Sequence, residues 1–310
     1  MKRFVLDTDI GVDCDDAAAI ALMLNLQKQG KGKLLAVTTS TTRKGATAAV
    51  GAICCYYGAT DMPIGRMTSP ILACDARNNY AEAVMKKFGA AESETDGVNL
   101  LRKILAGTEE KVTLVAIGPL TNICKLLKSA PDEISERNGW ELVREKTDGM
   151  FVMGGAFAEN YDGITLPKKP PFGEWNIVQD IASAQFVADN FPVNIVFCPH
   201  EAGNYVLTDL GGSDDNPVWY SMRCFAAKEE NNPTAEGFKR MSWDPVTCLV
   251  AMEGVGDYFD LSDYGRVHIN DEGITVFDGA ENRGHRFLRV KGGFGKIAER
   301  INALIGRNQT

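Results

Sequence analysis

The chain has 310 residues, 45% of them hydrophobic and 24% charged, the make-up of a globular protein with room for one substantial α/β domain. A net charge of −8 with no long basic stripe excludes nucleic acid as the main partner, since nothing neutralises a run of phosphates. Eight cysteines without a C-x-x-C pair, beside only three histidines, argue against a thiolate–imidazole zinc cluster and fit a reducing cytoplasm. The apolar run after Lys2 and Arg3 is too short for a signal peptide, and no later run is long enough to cross a bilayer, so no membrane partner is expected.

Phe4-Val5-Leu6 predicts a buried strand that stops at the loop Asp7-Thr8-Asp9-Ile10-Gly11-Val12-Asp13-Cys14-Asp15-Asp16, and Ala17 to Leu24 begins a helix. Five aspartates within ten residues repel one another unless something positive sits among them. A divalent cation with oxygen ligands, Ca²⁺ or Mg²⁺, is the expected compensator. Helix capping by Asp15 or Asp16 would account for one or two of the five. Leu34-Leu35-Ala36-Val37 is a second strand ending in the hydroxyl-rich Thr38 to Thr42, and Ala46 to Tyr57 a helix stopped near Gly58. Val112 to Ile117 is a third strand, broken at Gly118-Pro119, after which Thr121-Asn122 leads into a helix. Phe151-Val152-Met153 is a strand ending in Gly154-Gly155, and Asn160 to Gly173 a long surface loop. Val193 to Phe197 is a strand ending in Pro199-His200-Glu201. Gly211 to Pro233 surrounds an aromatic helix, either a flap over a pocket or an ordinary surface helix. Gly265 to Val290 alternates polar and apolar residues around Asn270-Asp271-Glu272-Gly273, as in a hairpin or small meander, and Ile297 to Ile305 is a closing helix.

Strands alternating with helices imply βαβ units. The expected fold is therefore α/β, an open, mostly parallel, Rossmann-like sheet with helices on both faces and a small β-rich C-terminal addition, in one domain over 1–310. Ligands of such sheets bind at the carboxyl ends of the strands. The carboxylates, Thr38 to Arg43, the Ile117 carbonyl and the Gly154 loop would then share one edge.

A strand ending in D-x-D also looks like the haloacid dehalogenase-like phosphatases, with Asp7 as nucleophile and Asp9 as acid/base. Gly11 stands where that family wants Thr or Val, and Gly256-Asp257-Tyr258-Phe259-Asp260 only approximates its late acidic pair. An EF-hand is excluded, because twelve residues counted from Asp7 or Asp9 end at Ala18 or Ile20 rather than Glu. Gly154-Gly155 is no phosphate loop, since no Lys-Ser/Thr follows.

Four features, in order over most of the chain, resemble the inosine–uridine-preferring nucleoside hydrolase family. They are Asp7-Thr8-Asp9 with Asp15-Asp16; Val115-Ala116-Ile117-Gly118-Pro119-Leu120-Thr121-Asn122; Met153-Gly154-Gly155-Ala156 followed by Glu174-Trp175-Asn176; and Ser242-Trp243-Asp244-Pro245. The resemblance implies hydrolysis of the N-glycosidic bond of a small ribonucleoside to ribose and free base, as in purine or pyrimidine salvage, and a homodimer or homotetramer. It implies a Ca²⁺ at the strand ends, held by Asp9, Asp16, the Ile117 carbonyl and Asp244, with Asp9 also the general base toward the metal-activated water. Asp15, Asn160, Glu174 and Asn176 fall on ribose-binding positions, while Met153 and Trp243 fall on the substrate wall. Asp7 is expected to buttress the loop by accepting backbone N–H bonds.

Three departures qualify the resemblance. The opening loop is two residues longer than the family's, so Asp13 competes with Asp15 and Asp16 for their roles. Many members carry a His before the late Asp, placed to protonate a purine, where this chain has Trp243. Trp can stack on a base but cannot supply a proton; His200 is the substitute donor, with a capping or surface role as its alternative. The family's Asn after the second strand is replaced near Thr42 or Arg43, and Arg43 either binds a phosphate or carboxylate or is simply solvated. A nucleoside- or ribose-binding protein without turnover is the remaining rival.

Overall fold

A computed structural model describes residues 1–69, 79–157, 170–209 and 211–306. The strands are β1 (Arg3–Thr8), β2 (Lys33–Thr39), β3 (Ile64–Gly65), β4 (Val112–Ala116), β5 (Thr147–Met153), β6 (Ile195–Cys198), β7 (Leu207–Thr208), β8 (Arg240–Met241), β9 (Phe259–Leu261), β10 (Arg266–Ile269), β11 (Thr275–Asp278) and β12 (His285–Val290). The helices are α1 (Asp15–Lys28), α2 (Ala46–Tyr56), α3 (Tyr80–Phe88), α4 (Gly97–Gly107), α5 (Thr121–Lys128), α6 (Gly139–Lys146), α7 (Trp175–Gln179), α8 (Ile181–Asn190), α9 (His200–Gly203), α10 (Pro217–Glu229), α11 (Trp243–Glu253) and α12 (Phe294–Ile305).

An eight-stranded sheet in the order β3-β2-β1-β4-β5-β6-β12-β9 forms the centre, parallel throughout except for β9 at its edge. Alternate side chains of each strand enter different cores, as a period of two requires. Phe4 and Leu6 of β1 join the core under α1, α2, α11 and α12, whereas Val5 joins the core under α4, α5, α6 and α8. Every residue of β4 is buried. Burial on both faces is why these strands read as continuous apolar runs in the sequence. The expected α/β sheet with helices on both faces is therefore what the chain forms.

From β1 the chain winds outward to β2 and β3, then returns to β4 and continues the other way through β5 and β6. The switch point lies between β1 and β4, where a parallel sheet opens a crevice at its carboxyl edge. Asp9 leaves β1 there and Ile117 leaves β4. Gly118 lets the two turns approach, since a Cβ on it would lie 2.9 Å from the Asp9 backbone nitrogen and 2.5 Å from the Ser40 hydroxyl.

Of the hairpin or small meander expected in the C-terminal part, the hairpin is what forms. β10 and β11 form an antiparallel hairpin, turned by Gly273 with Asn270 Oδ1 accepting from the Glu272 and Ile274 amides. β12 instead inserts into the main sheet between β6 and β9. Phe287 and Leu288 are both buried, on opposite faces, so this strand finds full burial only inside the sheet. Gly211 to Pro233 contains α10, whose Val218, Met222, Phe225 and Ala226 are buried against the core, while Phe225 and Glu229 also line the cavity at the carboxyl edge of the sheet. Among the described residues no helix is long and apolar enough to cross a membrane, and the described cysteines are free thiols.

His285 of β12 is fully buried, and its Nδ1 accepts from the Val267 amide at 3.0 Å, which fixes the neutral ring. Burial, with Arg283 and Arg266 nearby, pushes its pKa down from 6.5 to about 4. The unfolded chain therefore binds a proton at His285 that the folded one refuses, and the folded state loses stability as pH falls from 6.5 toward 4. His285→Asn, which keeps the acceptor and removes the titration, should gain about 3 kcal/mol on the wild type across that window. Paired denaturation curves at pH 7.5 and pH 4.5 test this; an unchanged difference between the proteins would show that His285 protonates freely in the fold.

Candidate active site

A cavity of about 490 Å³ opens at the carboxyl edge of the sheet, lined among others by Asp9, Asp15, Asp16, Ile117, Met153, Glu174, Asn176, Trp243 and Asp244. The structure thus brings together all the sequence-predicted site residues except Asn160, which lies outside the described residues. Asp15 and Asp16 occupy the first turn of α1 and Asp244 the first turn of α11, where the helix dipole favours negative charge. The two helices cap each other's chemistry: the Asp244 backbone N–H, left without an intrahelical acceptor, donates to Asp15 Oδ2 at 3.1 Å. Thr8 Oγ1 donates to Asp16 Oδ1.

One carboxylate oxygen each from Asp15, Asp16 and Asp244 lies within 4.8 Å of the others. All three side chains are buried, and desolvation followed by their acidic neighbours pushes their pKa values well above the usual range. Asp9 is the largest neighbouring charge acting on Asp16. Burial, with Asp13 and Glu174, pushes Asp9 itself up to about 7, against a lowering by Arg43. Such a set is destabilising as it stands. An all-oxygen donor set of this charge and burial fits a hard divalent cation.

The opening loop resolves into separate tasks. Asp13 is engaged by a fork from Arg240, with Nε donating to Oδ1 at 2.8 Å and Nη2 to Oδ2. It therefore stands outside the group of three, on the same cavity wall as Arg240. Asp7 does buttress the loop, but through side chains rather than the expected backbone amides: Thr38 Oγ1 at 2.5 Å and Asn122 Nδ2 at 2.8 Å donate to its Oδ1. Asn122 also donates to the Thr39 carbonyl at 3.0 Å, joining β1, β2 and α5 beneath the site. Asp7 is buried and does not line the cavity, which removes the nucleophile required by the phosphatase alternative.

Glu174 caps α7, accepting from the amides of Asn176 (3.0 Å), Ile177 (3.3 Å) and Gly155 (3.3 Å). Burial raises it to about 7 against those bonds. Asn176 Nδ2 donates to the carbonyls of Ile117 (3.2 Å) and Met153 (3.1 Å), tying β4 to β5 and leaving its amide oxygen for a donor. A carbonyl has two lone pairs, so this bond still leaves Ile117 able to ligate. Trp243 Nε1 donates to the His200 carbonyl at 2.8 Å, and the His200 ring sits between Trp243 (5.5 Å) and Phe172 (5.2 Å). His200 thus lines the cavity inside an aromatic cluster, and Arg43 also lines it. Sequence reasoning missed Phe172, Glu229 and Arg240 on the wall, whereas Phe225 lies in the aromatic helix weighed as a flap.

The sequence model of the inosine-uridine preferring nucleoside hydrolases matches residues 4–299. A non-specific ribonucleoside hydrolase of Salmonella schwarzengrund is 27% identical over 213 residues, 66% of this chain and 63% of the relative. The chain thus spans less than two thirds of that relative's length. The crystal structure of an inosine-uridine preferring nucleoside hydrolase from Bacillus anthracis superposes with a TM-score of 0.66 at 20% identity, covering 98% of this chain and 99% of the other. A plant nucleoside hydrolase gives 0.71 at 20% identity over 98% and 97% of the two chains.

A hard divalent cation held among these acids would, at a hundredfold excess over its dissociation constant, stabilise the chain by about 2.7 kcal/mol, read as a rise in melting temperature against a chelator control. Asp16→Asn should abolish most of that rise while raising the melting temperature in chelator, because one of the mutually repelling charges is gone. A full cation-dependent shift in Asp16→Asn would show that Asp16 takes no part in holding the ion. The ordered motifs, the sheet and the matched span agree: the chain belongs to the inosine-uridine preferring nucleoside hydrolase family.

Proposed function

We propose that this chain hydrolyses the N-glycosidic bond of ribonucleosides, releasing ribose and free base. The observation that carries the reading is the convergence of Asp15, Asp16 and Asp244 within 4.8 Å, in one cavity with Asp9 and the Ile117 carbonyl. Ca²⁺ would be held by Asp9, Asp16, Asp244 and the Ile117 carbonyl, with Asp15 toward a ribose hydroxyl; bound there it would polarise water and lower its pKa.

Asp9 accepts the proton of the attacking water. Asp15, Glu174 and Asn176 orient the ribose by accepting from its hydroxyls, so that the reacting carbon faces Asp9. As the C1′–N bond lengthens, positive charge grows on the ribose ring, and the surrounding carboxylates stabilise it more than the neutral ground state. The buried floor excludes bulk water, which strengthens each of these interactions. The Trp243 indole N–H is already engaged with His200, so the residue before Asp244 supplies stacking and no proton, and no purine preference follows. The name of the Salmonella relative, a non-specific ribonucleoside hydrolase, supports a broad choice of base.

A reducing-sugar assay over inosine, adenosine, guanosine, uridine and cytidine, with and without chelator, tests the reading. Ribose release that stops in chelator and returns with calcium is the expected result. Tight nucleoside binding without ribose at any pH would instead leave a binding protein. Asp9→Ala should lower kcat by about 10³-fold or more, and near-normal turnover would refute the base assignment. Asp244→Ala should weaken ribose binding and metal retention together; stoichiometric metal in that variant would deny Asp244 its ligand role.

A further inference from the structure

Two guanidinium groups stand on the wall of the cavity. Arg43 acts on Asp9. Arg240 stands against the rings of Phe225 and Trp243 and pairs with Asp13, and its charge also reaches Asp15. The carboxylates, Glu174 and Asn176 offer acceptors suited to ribose hydroxyls. The rings of Phe172, Phe225 and Trp243 on the wall are suited to a flat heterocycle.

Arg240 is held in a fixed plane. Asp13 takes its Nε–Nη2 edge, and the guanidinium carbon lies 4.8 Å from the centre of the Phe225 ring and 5.3 Å from that of Trp243. Nη1 is left with only the Met241 sulfur, at 3.7 Å, among the described residues. A thioether is a weak acceptor, so the N–H donors of Nη1 remain for a better one. Trp243 has committed its N–H, and Glu229 and Asp13 on the same wall are acids. His200, between Phe172 and Trp243, is the other donor there, but among the described residues of this wall only the guanidinium of Arg240 carries a permanent positive charge against the aromatic rings.

We propose that Arg240 is the leaving-group residue of this site, its Nη1 edge donating to a ring nitrogen or exocyclic oxygen of the departing base. The proposal rests on the hydrolytic reading above. In the step, the C1′–N bond breaks and both its electrons go to the base nitrogen, while the water oxygen bonds to C1′ and the water proton passes to Asp9. The base departs as an anion hydrogen-bonded to Arg240 and takes its proton afterwards from solvent. A guanidinium cannot act as a general acid near neutral pH, so it stabilises this charge without transferring a proton.

The test compares nucleosides with 4-nitrophenyl riboside, whose leaving group carries its own negative charge well. Arg240→Gln should lower kcat/KM for inosine and uridine by about 100-fold and change that for the nitrophenyl riboside by no more than about threefold. Arg240→Lys, which keeps the charge without the fork, should fall between. Both substrates read the same folded fraction, so the ratio of the two losses is blind to partial misfolding. Equal losses on both substrates, as a purely structural role would give, overturn the proposal, and so does an undiminished rate on nucleosides. If the unaltered chain frees ribose from neither substrate, the hydrolytic reading falls and this assignment with it, an outcome seen before any variant is made.

Discussion

The structure is organised around a repulsion. Asp9, Asp15, Asp16 and Asp244 are buried at one edge of the sheet; Asp9 raises the proton affinity of Asp15 and Asp16, and all three raise that of Asp244. Hydrophobic packing alone would disperse them. What holds them is the geometry beneath: β1 ends at the switch point, and α1 and α11 both begin there, so two helix N-termini face the same acids. Thr8 on Asp16 and the Asp244 amide on Asp15 orient individual oxygens. These bonds orient the carboxylates without placing a positive charge among them, and an oxygen donor set so arranged suits a hard divalent ion.

The cavity lining combines two chemistries. Carboxylates and amide oxygens supply acceptors, and aromatic rings with the clamped Arg240 supply flat apolar surface. A ribonucleoside combines the same two, a polyhydroxylated sugar joined to a flat heterocycle. The Asp13–Arg240 fork accounts for the fifth aspartate of the opening loop. The five acids close together in sequence thus fall into three situations in space: Asp7 supports the floor, Asp13 is paired with a cation, and Asp9, Asp15 and Asp16 share the cavity with the distant Asp244.

Much of this was readable from the chain because it is local. Strands buried on both faces leave continuous apolar runs, and the Asp-Asp pair entering a helix is a contiguous signal. The misreadings involve partners remote in sequence. β12 was read with the hairpin or small meander of Gly265 to Val290 because polar and apolar residues alternate there; its place inside the sheet depends on β6 and β9. Asp7 was expected to take backbone amides, but its donors come from the second strand and from Asn122, 115 residues away. Arg240 gave no signal because its meaning depends on Asp13, 227 residues earlier. Asp244 was legible only through the family's motif, since nothing in its neighbourhood announces a site.

The pairing of α1 with α11 sets an order of events during synthesis. Asp15 and the amide that caps it are 229 residues apart in the chain. While the ribosome is still making the middle of the protein, the first helix is already out, its central run from Ala17 to Leu24 wholly apolar, with no α11 to cover it. Closing so long a loop is slow compared with local helix formation. The nascent chain therefore carries an exposed sticky helix for most of its elongation, and would need shielding by chaperones until α11 emerges.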